Sequence, residues 1–322
     1  MRWRLTSRIL SDADPSLMNV TIEYTMRFRW LLCPQLVGQV MSNTIELAAV
    51  LHDSKLNAMD LPIGVARTLL VSLHHRATQS IKNEGQFKDE MGEYFHRKIS
   101  FDWSKFNDES LHWMMINRTE ILDEKVTDFI VKNHDSFVIN LGAGLCTRFY
   151  RLKTGRVTWI EMDLPEVIAF RKKLNEPQLA NHIFLPGSIL NAKWIERVRQ
   201  FVHGKTLFVA EGLMNYFSEE ENLEIFEALT DNFPGQEMLL SILSRDGVNY
   251  ANETPSLHAA HTRMKSRIVS GVQLALINPQ IQFIDEWYVA DRNQNLMPPE
   301  IRKMMTSPAA KNRQKIAHIR FL

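Results

Sequence analysis

The polar and apolar positions of this chain change rhythm along its length. Between residues 61 and 133 apolar side chains recur at helical spacing. Residues 63–78 place Val65, Leu69, Leu70 and Leu73 along one side, and residues 111–132 do the same with Ile116, Ile121, Val126, Phe129 and Ile130. From Phe137 onward, short apolar runs alternate with helical stretches. The runs predict strands at 137–141, 157–163, 182–186, 206–211, 237–243, 281–289 and 315–322, with helices between them at about 164–175, 193–202 and 218–232. Ser218 with Glu221 three residues later marks a helix start, and Pro165 suits a first helical turn. Such alternation implies an α/β, doubly wound, mostly parallel sheet with helices on both faces. No clear long helix joins the last two strands, which permits an antiparallel final pair. Residues 1–60, where a helical-looking stretch at 35–51 mixes with Arg- and Trp-rich segments, predict an N-terminal extension to a domain spanning 61–322.

Composition narrows the function without naming it. The 322 residues are 45% hydrophobic, enough for a large core. With 38 basic and 37 acidic residues the net charge is +1, so no nucleic-acid partner is expected. Cys33 and Cys146 have neither metal-ligand spacing nor the look of a disulfide framework, which fits a reducing compartment; no metal is expected. No apolar run approaches the roughly 18 residues of a membrane span. The first ten residues lack an apolar signal core, and Asp12 and Asp14 argue against a transit segment despite Arg2, Arg4 and Arg8. The expected location is the cytoplasm.

The candidate chemistry lies in 137–148. An apolar strand runs into Gly142-Ala143-Gly144, and a helix is expected to follow. Glycines let the backbone turn tightly and approach a ligand, and a helix start offers free N–H groups. Asp163 closes the next strand 19 residues after Gly144. An acid about 20 residues beyond such a turn is placed to accept from a ribose hydroxyl. The pattern therefore points to a nucleoside-bearing cofactor. A nicotinamide cofactor would want a third glycine where Thr147 stands.

Several ordered segments resemble the leucine carboxyl methyltransferase superfamily, and within it the bacterial polyketide O-methyltransferase branch. They are GVARTLLVSLHHRA, ISFDWSKF, NRTEILDEKVTDFI, VINLGAGLCTRFYRL, WIEMDLPEVIAFRKKL, LFVAEGLMNYFSEEE and IQFIDEWYVADRN, running from about residue 62 to the C-terminus. The resemblance implies a class I, Rossmann-like methyltransferase fold with a seven-stranded sheet, a helical cap (61–133 and about 249–275), and S-adenosylmethionine as cofactor. It implies that Arg118 binds the methionine carboxylate, that Gly142 and Gly144 approach the cofactor, and that Asp163 takes the ribose. Ser188 and Ile189 would lie against the adenine, and Glu211 near the cofactor. Cys146 departs from the family's usual aspartate, which would cap the helix start and hold Arg148; Ser241 stands where an acid is frequent. The implied reaction is methyl transfer to a carboxylate or hydroxyl of a small, polyketide-like molecule. Alternatives are a degenerate cofactor-binding homologue and a carboxyl methyltransferase acting on a protein C-terminus. A carboxylate needs no base, whereas a phenol gains from one. His74 and His75 in the cap helix, and Tyr216, are the candidates for catalytic groups.

Overall fold

The structure, a computed structural model, describes residues 55–57, 60, 64–82, 87–266 and 268–322. All of these belong to one compact unit, Ser54–Leu322. The 35–51 stretch, and nearly all of the predicted extension, lie outside the described residues.

Seven strands form a single sheet: β1 (Phe137–Leu141), β2 (Thr158–Asp163), β3 (His182–Pro186), β4 (Thr206–Ala210), β5 (Glu237–Leu243), β6 (Ile281–Tyr288) and β7 (Gln314–Phe321). Their order across the sheet is β3-β2-β1-β4-β5-β7-β6. β1 to β5 pair in parallel, and β7 pairs antiparallel with both β5 and β6. The sequence reading placed every strand of this sheet to within a residue at each end; a separate pair of two-residue strands, Leu56–Asn57 and Ile99–Ser100, was not foreseen. Parallel strands buried on both faces read as continuous apolar runs, a strong signal.

Alternation along those strands feeds two cores. Ile139, Leu141, Ile160, Met162, Phe208 and Leu240 face one way. There they meet α5 (Lys193–Arg199) through Trp194 and Val198, and α6 (Glu219–Asn232) through Ile225, Phe226 and Leu229. Val138, Trp159, Leu207, Val209 and Leu239 face the other way, against Ile121, Leu122, Val126, Phe129 and Ile130 of α3 (Glu109–Lys132). Helix α4 (Pro165–Lys172) follows β2, with proline in its first turn.

The cap begins with α1 (Val65–Lys82) and α2 (Glu90–Lys98). Its second part is less helical than expected. Within 249–275 the chain forms the end of α7 (Arg245–Asn252), α8 (Pro255–Ala260) and the start of α9 (Gly271–Ile277), with non-helical backbone between α8 and α9. That backbone is held by Asn252, whose side chain donates to the Met264 carbonyl at 3.1 Å and accepts from its N–H at 2.8 Å. No helix among the described residues is long and apolar enough to cross a membrane.

The capping box that starts α6 is fully formed: Ser218 Oγ accepts from Glu221 N at 3.2 Å, and Glu221 Oε2 accepts from Ser218 N at 2.7 Å. Ser218→Ala should lower the unfolding free energy by about 1 kcal/mol in urea titrations. An unchanged midpoint would contradict that assignment.

Candidate functional site

The site is built where β1 ends. Gly142 and Gly144 take positive φ, 63° and 52°. A Cβ on Gly142 would come within 2.7 Å of Leu213 Cδ1, so glycine is required there by backbone and by space. Ala143 N–H donates to the Met162 carbonyl at 3.0 Å, which pins the turn to β2. Asp163 finishes the clamp: its carboxylate accepts from Gly144 N at 2.6 Å and from Leu164 N at 2.7 Å. Burial pushes the Asp163 carboxyl up to about 6, against the opposing pull of those two N–H groups. Each of its oxygens retains acceptor capacity.

The expected helix after the turn is one turn only, Arg148–Arg151. Leu152 is already extended, and Gly155, at φ 57°, reverses the chain. No helix N-terminus of useful length therefore faces the cavity here. The turn is braced instead by Arg171 of α4, fully buried, which donates to the Gly144 carbonyl at 3.2 Å and the Cys146 carbonyl at 2.7 Å. Arg171 is in turn fixed by Glu176 at 2.6 Å.

A cavity of about 440 Å³ opens beyond the C-terminal ends of the parallel strands, where α/β sheets bind ligands. Gly142, Gly144, Asp163, Ser188, Ile189 and Glu211 line it from the sheet side. Thr68, Leu69, Ser72 and Arg76 of α1, with Met115 and Arg118 of α3, line it from the cap. The structure thus brings together on one cavity Arg118, Gly142, Gly144, Asp163, Ser188, Ile189 and Glu211, as well as Tyr216.

Behind the wall runs a chain of ion pairs. Arg118 donates to Glu211 at 2.9 Å, Arg148 to Glu211 at 2.6 Å and to Asp123 at 2.6 Å, and Arg151 to Asp123 at 2.8 Å. Arg151 and Arg76 each reach Asp89 at 3.0 Å. Burial works against the Glu211 charge, but the Arg118, Arg148 and Arg76 guanidiniums outweigh it and hold its carboxyl well below the usual range. Four arginines share three carboxylates, and the two end members, Arg76 and Arg118, are the ones that line the cavity. The network has one positive charge more than it can pair, presented to the cavity. That donor set fits an anionic ligand group, and a carboxylate in particular.

Cys146 is a free, buried cysteine lining the cavity, with Sγ 3.5 Å from Arg148 Nη1. Arg148 is held by Asp123 and Glu211. Ser241 is not a ligand group either; its Oγ accepts from Gly212 N at 2.7 Å and so shapes the loop after β4.

The cap histidines do not reach the cavity. His74 Nδ1 lies 3.1 Å from His96 Nε2, and its ring stacks on Trp103. His75 Nδ1 lies 3.3 Å from His112 Nδ1. Burial pushes both rings below the ordinary imidazole range. Tyr216 does line the cavity, with its side chain hydrogen-bonded to Thr68 of α1, and burial pushes its phenol up. Arg76 and Arg171 were missed from sequence. A signal existed for Arg76, an arginine three residues after Leu73 on the apolar stripe of α1.

With this geometry in hand, comparison with known proteins is direct. The sequence profile of the leucine carboxyl methyltransferase family matches residues 70–230, half of the chain. This chain belongs to that family and is an S-adenosylmethionine-dependent methyltransferase. It is 25% identical over 230 residues to the tetracenomycin polyketide synthesis O-methyltransferase TcmP of Streptomyces glaucescens, covering 71% of this chain and 84% of that protein. A proposed methyltransferase of Thermobifida fusca superposes with a TM-score of 0.54 at 12% identity, over 80% of this chain and 95% of the other. A DUF574-family protein of Streptomyces avermitilis gives 0.50 at 10% identity, over 77% and 97%. At such identities these two show the shared fold.

Gly142→Ala puts a Cβ into Leu213 and a side chain on left-handed backbone, which costs roughly 1–2 kcal/mol. The variant should melt lower than the wild type and bind S-adenosylmethionine more weakly. Unchanged melting and unchanged affinity would contradict the tight-turn account.

Proposed function

We propose that this enzyme methylates an oxygen of a small, polyketide-like organic acid, with an ionised carboxylate as the acceptor. One observation carries the reading: among the described residues no histidine lines the cavity, and its carboxylates and phenols have other partners, Asp163 in the glycine turn and Tyr250 on Ser110 among them. Glu211 is bound to two arginines, and Glu221 is spent on the capping box. Tyr216 keeps its proton, because burial raises its phenol. A phenolic acceptor would need a base to take its proton; a carboxylic acid, with a pKa of about 4, arrives ionised. The similarity to TcmP, whose name gives a polyketide product line, supports the same acceptor class.

When bound, S-adenosylmethionine supplies a methyl group on a positively charged sulfur, already activated for in-line displacement. The protein's task is then alignment and exclusion of water. In this reading Arg118 grips the methionine carboxylate with guanidinium N–H groups left over from its bonds to Glu211 and Ser72. Asp163 accepts from the ribose, and Gly142 leaves its backbone open to close approach. Ser188 and Ile189 form the wall against the adenine. Glu211 is a positioning residue that fixes Arg118. Thr68 of α1 and Tyr216, hydrogen-bonded to each other, tie the cap to the loop after β4. Lys265 is an exposed cation on the cavity lining, its backbone N–H anchored to the Asn215 carbonyl at 2.8 Å. It suits an acidic acceptor.

Two outcomes test this. Asp163 is ionised above about pH 6 and protonated below it, so S-adenosylmethionine affinity in calorimetric titrations should fall as pH drops through about 6. NAD should give no heat. An affinity that stays constant from pH 5 to 8 would remove Asp163 from the site.

At saturating cofactor, turnover of an aromatic acid should be flat from about pH 6.5 to 8. Lys265→Met should raise its KM with little change in kcat. A rate that climbs with pH and collapses in Tyr216→Phe would instead establish base-assisted hydroxyl methylation.

A further inference from the structure

Gln314 is a buried polar residue on the cavity lining. It opens β7, and its register partner is Leu243 at the end of β5, so it sits at the same sheet edge as the cofactor turn. Both residues line the cavity. The Gln314 side chain also borders a small adjoining void of about 20 Å³, shared with Met114 of α3 and Tyr250 of α7. This end is lined by cap residues and is separate in sequence and in element from Gly142, Asp163 and Ser188.

The Gln314 carboxamide is unsatisfied. The residue is only 4% exposed, and its Oε1 is buried without a hydrogen-bond partner. Among the described residues six buried side-chain polar atoms lack partners, and Gln314 alone of their residues lines the cavity. Its polar neighbour cannot help, because the Tyr250 hydroxyl is shared with Ser110 at 2.8 Å. An unpaired buried amide oxygen costs on the order of 1–3 kcal/mol, which a ligand bond would recover. The two ends of a carboxamide are assigned by their hydrogen bonds, and either could face a ligand. A hydroxyl both donates and accepts, so it satisfies either orientation.

We infer that Gln314 reads the methyl acceptor: it hydrogen-bonds a hydroxyl group carried by the acceptor's ring system, away from the oxygen that receives the methyl group. Gln314 is thereby a specificity-determining residue, and the preferred acceptor is a hydroxylated aromatic acid. The inference rests on the acceptor class proposed above.

The test compares naphthoic acid with its ring-hydroxylated isomers, using wild type and Gln314→Met, a change that keeps length and removes the polar atoms. Wild type should favour at least one hydroxylated isomer by roughly 5- to 150-fold in kcat/KM, the range for one buried hydrogen bond. In Gln314→Met that ratio should fall to about one. Turnover of the parent acid and S-adenosylmethionine affinity should be preserved, and the melting temperature should be unchanged or raised, because the unpaired amide is gone. Equal loss of both acids, a lowered melting temperature, or no preference in wild type for any isomer would overturn the inference.

Calorimetric binding of the same acids to the S-adenosylhomocysteine complex separates the two claims. Hydroxyl-selective binding without turnover would overturn the carboxylate reading and leave Gln314 in place. Failure of every acid to bind would overturn both.

Discussion

One buried chain of ion pairs sets the geometry of this enzyme. It runs from Arg118 through Glu211, Arg148, Asp123 and Arg151 to Asp89 and Arg76, with every link between 2.6 and 3.0 Å. Buried charges of this kind are costly to desolvate and are retained only when each is paired. Removing one partner commonly costs about 3–5 kcal/mol, because its neighbour is left charged and dry. The chain therefore locks together the elements that carry it: α1, the N-cap of α2, α3, the short turn after Gly144, and the end of β4. An odd count of charges leaves the arginine surplus at the cavity wall.

This chain also explains why Arg148 needs no anionic partner at position 146. Arg148 is fully buried and needs anionic partners whatever stands at 146. Asp123 comes from α3 and Glu211 from the sheet, so the guanidinium is satisfied from both sides. Cys146 then packs beside it as a small, weakly polar group. The glycine turn gets its second brace from Arg171, which belongs to a separate buried cluster with Glu161, Glu176 and His182. Two independent arginine anchors hold the loop that must meet the cofactor, which is the preorganisation an alignment-driven reaction requires.

Much of this was legible in the sequence, and the reasons are specific. The strands announced themselves because both of their faces are buried, as with Val138 and Ile139 meeting opposite cores. The positions of Gly142, Asp163 and Arg118 could be read because turn chemistry and family motifs are local. The ion-pair chain could not, since its partners lie 13 to 93 residues apart, from Arg76 and Asp89 to Arg118 and Glu211. The helix after the turn was overread, because the apolar pattern of 145–152 does not show that Leu152 turns extended ahead of Gly155. His74 and His75 have the right helix and the wrong face; they meet His96 and His112 in the cap interior. The unpaired amide of Gln314 has no sequence signal, because one glutamine at a strand start is commonplace.

The central claim is that the surplus charge of this network is completed by the carboxylate of the methionine moiety. Calorimetric affinities of S-adenosylmethionine and of its decarboxylated analogue, measured on wild type and on Arg118→Met, test it most directly. The account predicts that wild type prefers the carboxylated ligand by about 1.5–3 kcal/mol, the value of a hydrogen bond to a charged group, and that Arg118→Met loses most of that preference. Equal affinities for the two ligands in wild type, or a preference that survives the substitution, would contradict it.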